Sequence, residues 1–171
     1  IKVVVCDSAI DRTHPDLIDN LDPLTANFSG TTTDFGDPHG TQVAGVIGAV
    51  GDNLIGIAGV NWEVSLVSGR INHQFGEATV RSAVDCIDWA GNTVGAKVVN
   101  LSYSDMATSS AVNYAAINLR NNGGLLFVPG GYDDLDVNYP AYDSIIVFAQ
   151  TYSFMEKTPN SNYGGIIDLA T

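Results

Sequence analysis

Basic residues are scarce in this chain: seven Lys and Arg stand against nineteen Asp and Glu, which gives a formal net charge of −12. Because a surface of that sign repels phosphate backbones, the composition argues against nucleic acid as a partner, while it leaves acidic groups available to a cation such as calcium. Long apolar runs are absent too. The sequence therefore predicts no membrane-spanning helix and no membrane partner.

Cysteine is nearly absent, since only Cys6 in the first apolar run and Cys86 in an amphipathic stretch occur. Two cysteines make neither a disulfide framework nor a CxxC metal motif, so we expect two buried free thiols. The glycine fingerprint GxGxxG is also missing after the first run, where the chain reads Asp7-Ser8-Ala9-Ile10-Asp11. This argues against a flavodoxin-like or dinucleotide-binding domain, which is otherwise compatible with the pattern described next.

Short Val-, Ile- and Leu-rich runs alternate with stretches of helical periodicity along the 171 residues. That alternation predicts an α/β fold, with a doubly wound, mostly parallel sheet and helices on both faces, in a single domain over residues 1–171. The predicted strands are 2–6, 64–68, 97–101, 125–128, 145–149 and 166–169. The predicted helices are marked by Val43, Ile47 and Val50, by Val80, Val84 and Ile87, and by Val112, Ala115, Ala116 and Leu119.

Turn residues divide these elements. Gly95 and the run Asn121-Asn122-Gly123-Gly124 tolerate left-handed backbone and are expected to end the second and third helices. The segment from Asn20 to Pro38, rich in Asp, Thr and Gly, is expected to be a long surface loop.

An acid and a base stand at positions where an α/β sheet binds ligands. Asp7 follows the run Val3-Val4-Val5-Cys6, at the carboxyl end of the first predicted strand, and His39 opens a predicted helix. A carboxylate in that place can hold the tautomer of an imidazole, and the imidazole can then act as a general base. The pair supplies two thirds of a serine-protease triad, in the order acid first and base second.

Several ordered motifs resemble those of the subtilisin-like serine proteases, the subtilases, from one end of the chain to the other. The first two are Val3–Asp11 followed by His14-Pro15-Asp16-Leu17, and His39-Gly40-Thr41-Gln42-Val43-Ala44-Gly45. The others are residues 55–60, Val98–Ser102, Tyr139-Pro140-Ala141, and Ser161-Asn162-Tyr163-Gly164 with Ile167-Asp168-Leu169-Ala170.

The resemblance implies a role for each matching residue. Asp7 would orient the base, and His39 would take a proton from a serine and return it to the leaving amine. Ser102, Tyr103 and Ser104 look like the strand edge along which subtilases bind an extended peptide or protein substrate. By the same resemblance the protein is expected to be secreted or extracellular.

Two departures from the family pattern concern the chemistry. Subtilases donate a hydrogen bond to the oxyanion from an Asn after the strand that matches 125–128; here Asp133 takes that position, or Tyr132 if the alignment shifts by one residue. An ionised Asp accepts and cannot donate. The family's nucleophile lies in a Gly-Thr-Ser segment beyond the Asp-Leu-Ala motif, whereas this sequence stops at Thr171.

We therefore expect a fold that is incomplete at the C-terminus, with the serine supplied by a missing C-terminal segment or by a second chain. Ser8, next to the acid, is interpreted as a capping residue rather than as an attacking group. The alternative function is a catalytically impaired pseudoprotease that binds peptides or proteins. A metallohydrolase using Asp7, His14 and His39 is disfavoured, because the single carboxylate and the lack of His spacing on one helical face do not suit a metal.

A structural calcium site is the remaining property that the resemblance implies. Its ligands would be the carboxylate of Asp16, the amide of Asn53 and the main-chain carbonyls of Gly51, Ile55 and Ile57, a set of oxygen donors suited to a hard cation. The alternative is a calcium-free turn held by hydrogen bonds.

Overall fold

The structure, a computed structural model, describes residues 1–33, 36–73, 76–138, 141–153 and 156–170. Among the described residues, seven strands form one sheet: β1 (Lys2–Asp7), β2 (Leu21–Asn27), β3 (Ser65–Arg70), β4 (Val98–Leu101), β5 (Leu125–Pro129), β6 (Ile145–Ala149) and β7 (Leu169–Ala170). Their order is β2-β3-β1-β4-β5-β6-β7, and each neighbouring pair is parallel. Within these described ranges three α-helices accompany the sheet: α1 (His39–Gly48), α2 (Val80–Trp89) and α3 (Ser110–Asn121). The predicted α/β class with a parallel sheet is confirmed.

Helices cover both faces of the sheet, as the alternation of β1 side chains shows. Val3 and Val5 belong to the apolar cluster that includes Ala44 of α1. Val4 and Cys6 point to the other face, into the larger cluster with α2 and α3. Both faces of β1 are therefore buried, which explains why its sequence is a continuous apolar run.

The three helices begin in different ways. Thr79 and Ser82 form a capping box at the start of α2, and the Ser109 hydroxyl accepts a hydrogen bond from the Val112 amide at the start of α3. The residue before α1 is Pro38, whose side chain makes no capping hydrogen bond. The first amides of α1 must therefore find acceptors elsewhere.

The predicted helix ends are confirmed. A five-residue π-helical turn, Ala90–Val94, prolongs α2 and ends at Gly95, which has a φ of 68°. After α3, Gly123 has a φ of 79° and the Gly124 amide donates to the carbonyl of Leu119. Glycine is suited to these positions because a side chain disfavours left-handed backbone.

The predicted loop from Asn20 to Pro38 is wrong over its first part, where β2 forms. This strand contains Asp22 and Pro23, exposes most of its residues and pairs with β3 through an irregular register. Proline is tolerated there because β2 is an edge strand, and its weak apolar pattern concealed it from sequence analysis. The last predicted strand is shifted as well: Ile166 is buried in a turn, and β7 begins only at Leu169.

The expectation of two free thiols is wrong, because Cys6 and Cys86 form a disulfide. Cys6 lies on the face of β1 that packs against α2, and the two Cα atoms are 6.3 Å apart, within disulfide range. Residues 80 positions apart in the sequence are joined in this way. A count of cysteines cannot reveal such a pairing, since it depends on how α2 packs on the sheet.

No helix in the described part of the chain has the length and apolar character needed to cross a lipid bilayer. Of the family motifs, Tyr139 and Pro140 lie outside the described residues.

Candidate active site

The carboxyl ends of β1, β4 and β5 are neighbours at one edge of the sheet, because these strands are parallel and adjacent. Asp7 ends β1, Ser102 and Tyr103 follow β4, and Asp133 lies in the loop after β5. The topology thus gathers the predicted site residues from three separate parts of the chain. His39 joins them as the first residue of α1.

The predicted acid and base are in direct contact. Oδ1 of Asp7 lies 2.7 Å from Nδ1 of His39, although the residues are 32 positions apart. Asp7 is fully buried, whereas the side chain of His39 is 51% exposed. A carboxylate at Nδ1 places the ring proton there and leaves Nε2 as the proton acceptor, which is the state that a general base requires.

Opposing influences act on the Asp7 carboxyl. Burial raises its pKa, and the hydrogen bonds from His39 and from the Ser8 amide partly offset that rise. Both hydrogen bonds reach the same oxygen, Oδ1. Within the described ranges, the other oxygen, Oδ2, is buried and accepts no hydrogen bond. The ionised acid is therefore held from one side only.

The N-terminus of α1 is satisfied by residues outside the helix. The His39 amide donates to Oδ1 of Asp37 at 3.0 Å, and the Gly40 amide donates to Oγ of Ser8 at 2.6 Å. Ser8 thus acts as a capping residue, as predicted, although for a helix that begins 31 residues later than Ser8 itself. Sequence analysis missed the role of Asp37, although its bond to the His39 amide is a local pattern typical of Asp in turns.

The predicted peptide-binding segment, residues 102–104, is only partly extended. Tyr103 has extended backbone, with φ −131° and ψ 102°, whereas Ser104 opens a 3-10 turn that ends at Met106. The Tyr103 hydroxyl donates to the carbonyl of Gly76. Burial raises the pKa of Tyr103, and the nearby carboxylates of Asp7 and Asp37 raise it further. This phenol therefore stays neutral beside the acid.

Asp133 and Tyr132, the two residues considered for the oxyanion position, contact different cavities. Asp133 and Ser104 line a common cavity of about 190 Å³, while Tyr132 lines a separate one of about 130 Å³ with Phe148. Asp133 is exposed, and its main-chain amide donates to Oδ1 of Asn162. Asp133 thus lines a cavity together with Ser104 of the predicted peptide-binding segment.

Asn162 is a site-supporting residue whose role sequence analysis missed. Its Oδ1 accepts the amides of Asp133 and Leu135, and its Nδ2 donates to the carbonyl of Gly130. Its own amide donates to the carbonyl of Gly131. Asn162 is 5% exposed and fixes the backbone of the loop that carries Asp133. The motif around it was recognised, but the sequence does not indicate that an amide here binds a loop 27 to 32 positions earlier in the chain.

Two of the predicted calcium ligands, Asp16 and Asn53, are in contact at the loop 51–57. Asp16 is buried, and its two carboxylate oxygens accept hydrogen bonds from Nδ2 of Asn53 at 2.8 Å and from the Ile57 amide at 2.9 Å. These bonds, the Asn53 bond first, lower the pKa of Asp16. A Cβ on Gly56 would lie 2.3 Å from Oδ2 of Asp16, so the loop wraps the carboxylate closely.

This donor set fits a hard cation if the side-chain amide of Asn53 is rotated. The carbonyls of Gly51, Ile55 and Ile57 accept none of the hydrogen bonds found between described residues. Asn53, however, turns its nitrogen towards Asp16, while its oxygen accepts the Ile55 amide. Rotation of the Asn53 amide would exchange the two atoms and present an oxygen to an ion.

The metallohydrolase alternative is wrong. His14 accepts a hydrogen bond from the Asp16 amide through Nδ1, in a turn separate from the contact between Asp7 and His39. Within the described ranges, no three His, Cys, Asp or Glu residues are grouped closely enough to hold a metal ion.

Comparison with known proteins agrees with this geometry. The profile of the Subtilase family, Peptidase_S8, matches residues 1–153. The chain is 30% identical to thermitase from Thermoactinomyces vulgaris, over 99% of its own length and 61% of that of thermitase. It is 31% identical to subtilisin Savinase from Lederbergia lenta, over 99% of its own length and 62% of that relative.

A solved structure of similar fold is the psychrophilic subtilisin-like protease Apa1 from the Antarctic psychrotroph Pseudoalteromonas sp. AS-11. It superposes with a TM-score of 0.81 at 30% identity, over 99% of this chain and 40% of that one. The chain spans about three fifths of the length of thermitase and Savinase. Since the family profile covers most of the chain and the predicted acid and base are in contact, the chain belongs to the subtilase family.

Proposed function

We propose that this chain carries the acid and the base of a serine endopeptidase that hydrolyses peptide bonds through an Asp-His-Ser triad. The contact of 2.7 Å between Asp7 and His39 carries the proposal. The buried carboxylate fixes the ring, and the half-exposed ring is accessible to a reacting group. Family membership and the similarity to two named proteases support the same reaction class.

In this mechanism His39 removes the proton from a serine hydroxyl as the oxygen attacks the peptide carbonyl carbon. His39 then delivers that proton to the leaving amine, and a water molecule repeats the sequence on the acyl-enzyme. Asp7 stays ionised and stabilises the imidazolium that forms at each step. An extended peptide or protein substrate would lie along Ser102, Tyr103 and Ser104.

The nucleophile of this proposal comes from outside the described residues. None of the serines in that part of the chain makes a hydrogen bond with the His39 ring, and the Ser8 hydroxyl is already committed to Asp37 and Gly40. A further segment of the same protein, or a second chain, would supply the serine at Nε2.

A serine-directed fluorophosphonate tests the proposal on the whole protein. We expect one labelled serine in the wild-type protein and loss of labelling in the His39→Ala variant. His14→Ala is the matched control, and we expect it to stay labelled. A folded wild-type protein that neither reacts with the probe nor cleaves a denatured protein would contradict the proposal.

Asp133 favours a second function, that of a pseudoprotease which binds peptides without cleaving them. Asp133 lines the same cavity as Ser104, and an ionised carboxylate there would repel a developing oxyanion. Loss of the corresponding donor costs subtilisin, the established example, about 100- to 1,000-fold in turnover. Substitution Asp133→Asn separates the two functions, because it raises turnover in an impaired protease and leaves a pure binding protein without activity.

Two further properties belong to the proposal. The loop 51–57 binds calcium through Asp16, Asn53 and the carbonyls of Gly51, Ile55 and Ile57, as a structural ion. The protein is secreted, which the buried disulfide between Cys6 and Cys86 supports, because disulfides form and persist in oxidising compartments.

A further inference from the structure

The contact between Asp7 and His39 depends on how two unconnected elements meet. Asp7 ends β1, and His39 is the first residue of α1, so neither the strand nor the helix alone sets their separation. A small displacement of α1 along the sheet edge would break the bond. Some residue must therefore fix the start of the helix against the end of the strand.

Ser8 makes the contacts that such a role requires. Its amide donates to Oδ1 of Asp7 at 2.7 Å, on the oxygen that also contacts His39. Its hydroxyl donates to the carbonyl of Asp37 at 2.9 Å and accepts the Gly40 amide at 2.6 Å. Ser8 is only 2% exposed, so water does not compete for these bonds. Ser8 thus binds Asp7 and also two residues that flank His39, Asp37 and Gly40.

Gly40 shows how closely the two elements approach. A Cβ at this position would lie 2.2 Å from the main-chain oxygen of Ser8 and 3.0 Å from its Oγ. Any side chain at position 40 would push α1 away from the turn after β1. The hydroxyl of Ser8 fills the remaining space and replaces the capping side chain that Pro38 does not supply.

We propose that Ser8 is a positioning residue that holds the His39 ring against Asp7 by joining the start of α1 to the end of β1. This inference rests on the proposed function only in that Asp7 and His39 are the reaction's acid and base. Ser8 itself takes no part in bond formation, because its single hydroxyl proton is donated to the carbonyl of Asp37. The role requires a hydroxyl that donates and accepts at once.

Proton NMR of the whole protein provides the test. A ring N–H bonded to a carboxylate gives a downfield signal that exchanges slowly with water, and His39→Gln identifies the signal of His39. We expect Ser8→Ala to speed the exchange about tenfold or to abolish the signal, since removal of a hydrogen bond worth about 1.4 kcal/mol changes an equilibrium tenfold. Ser8→Thr, which keeps the hydroxyl, should restore slow exchange.

The ring signals of His14 and His73 serve as internal controls, and we expect them to stay unchanged in both variants. If Ser8→Ala does not fold, Ser8→Cys replaces it, because a thiol keeps the shape but is a weak donor. A folded variant without the hydroxyl that keeps the wild-type signal and exchange rate would overturn the proposal. Fluorophosphonate labelling of the whole protein is a separate result: its failure would refute the protease function and leave the role of Ser8 intact.

Discussion

Asp7 holds the His39 ring and the Ser8 amide on the same carboxylate oxygen, each at 2.7 Å, while its other oxygen is buried without a donor among the described residues. The acid is thus oriented at the expense of its own solvation. Sites that hold an ionised group in this way are generally less stable than they would be with a neutral group.

The Asp7→Asn variant should reveal this cost. Because burial raises the pKa of Asp7 above 3.8, ionisation of this carboxyl destabilises the folded state. The destabilisation is absent below about pH 3.8 and is complete once the pH has risen through the folded-state pKa. We expect the variant to gain stability relative to the wild type between pH 4 and neutrality. Urea unfolding across this pH range measures it. If the stability difference between Asp7→Asn and the wild type became smaller towards neutral pH, the raised pKa of Asp7 would be contradicted.

The same variant should lose catalysis in the whole protein. An Asn amide can donate to Nδ1 and so stabilise the wrong imidazole tautomer, an effect worth about 10⁴-fold in kcat in a triad. Measured turnover of a peptide substrate checks this expectation. Asp11→Asn, which removes an exposed carboxylate a few residues further along the chain, is the matched control and should retain activity.

Asp16 and Asp22 should account for part of the acid sensitivity of the protein. The hydrogen bond from Asn53 lowers the pKa of Asp16, and the bond from Ser65 lowers the pKa of Asp22. Their stabilisation is present above about pH 3.8, the ordinary Asp value, and is lost as the pH falls through the lower folded-state pKa. We expect Asp16→Asn and Asp22→Asn each to flatten the decline of the melting temperature on acidification, and an unchanged decline would refute this.

Calcium should distinguish these two variants. If the loop 51–57 binds the ion, calcium stabilises the folded wild type and raises its melting temperature. At a hundredfold excess of calcium over Kd, the free energy of unfolding increases by about 2.7 kcal/mol. Asp16→Asn should lose this response and Asp22→Asn should keep it, because Asp22 contacts Ser65 and Lys2 instead of the loop. Equal melting temperatures of the wild type in calcium and in chelator would refute the site.

Asn162→Ala should loosen the loop that carries Asp133. The substitution leaves the amides of Asp133 and Leu135 and the carbonyl of Gly130 without their partner, at a cost of about 3 kcal/mol. Urea unfolding measures the loss. Asn160→Ala is the matched control, since that side chain is exposed, and we expect it to be near neutral. Equal stabilities of the two variants would contradict the role of Asn162.

The disulfide between Cys6 and Cys86 should be both strongly stabilising and hard to reduce. It closes a loop across a sequence separation of 80 residues, for which chain entropy gives about 4.5 kcal/mol. We expect the double variant Cys6→Ala/Cys86→Ala to lose about this amount in urea unfolding. Because both cysteines are fully buried, a dithiol should reduce the native protein only as fast as it unfolds. Rapid reduction under native conditions would contradict the buried pairing.

Much of the fold follows from local sequence signals. Apolar runs placed β1, β3, β4, β5 and β6 within one or two residues, because central parallel strands are buried on both faces. The edge strand β2 escaped detection, since it buries little and contains Pro23. Its existence depends on pairing with β3, which no local pattern records.

In the candidate active site, too, some residues were predictable from local sequence and others were not. Asp7 and His39 were predictable because their positions after a strand and at a helix start carry chemical meaning. Asn162 and the disulfide of Cys6 were not, because each acts through a partner distant in the sequence. Asp37 was missed although its bond to the His39 amide is local. Asn and Asp side chains bind backbone in most loops, so their identity alone does not indicate which backbone they bind.

The proline in β2 has a consequence for association between molecules. β2 lies at the end of the strand order, where unpaired main-chain groups could add a strand from another copy. Pro23 offers no amide hydrogen there, and the register with β3 is broken between Leu21 and Thr25. This border of the sheet is therefore a poor template for intermolecular β-pairing, which protects the protein from edge-to-edge aggregation.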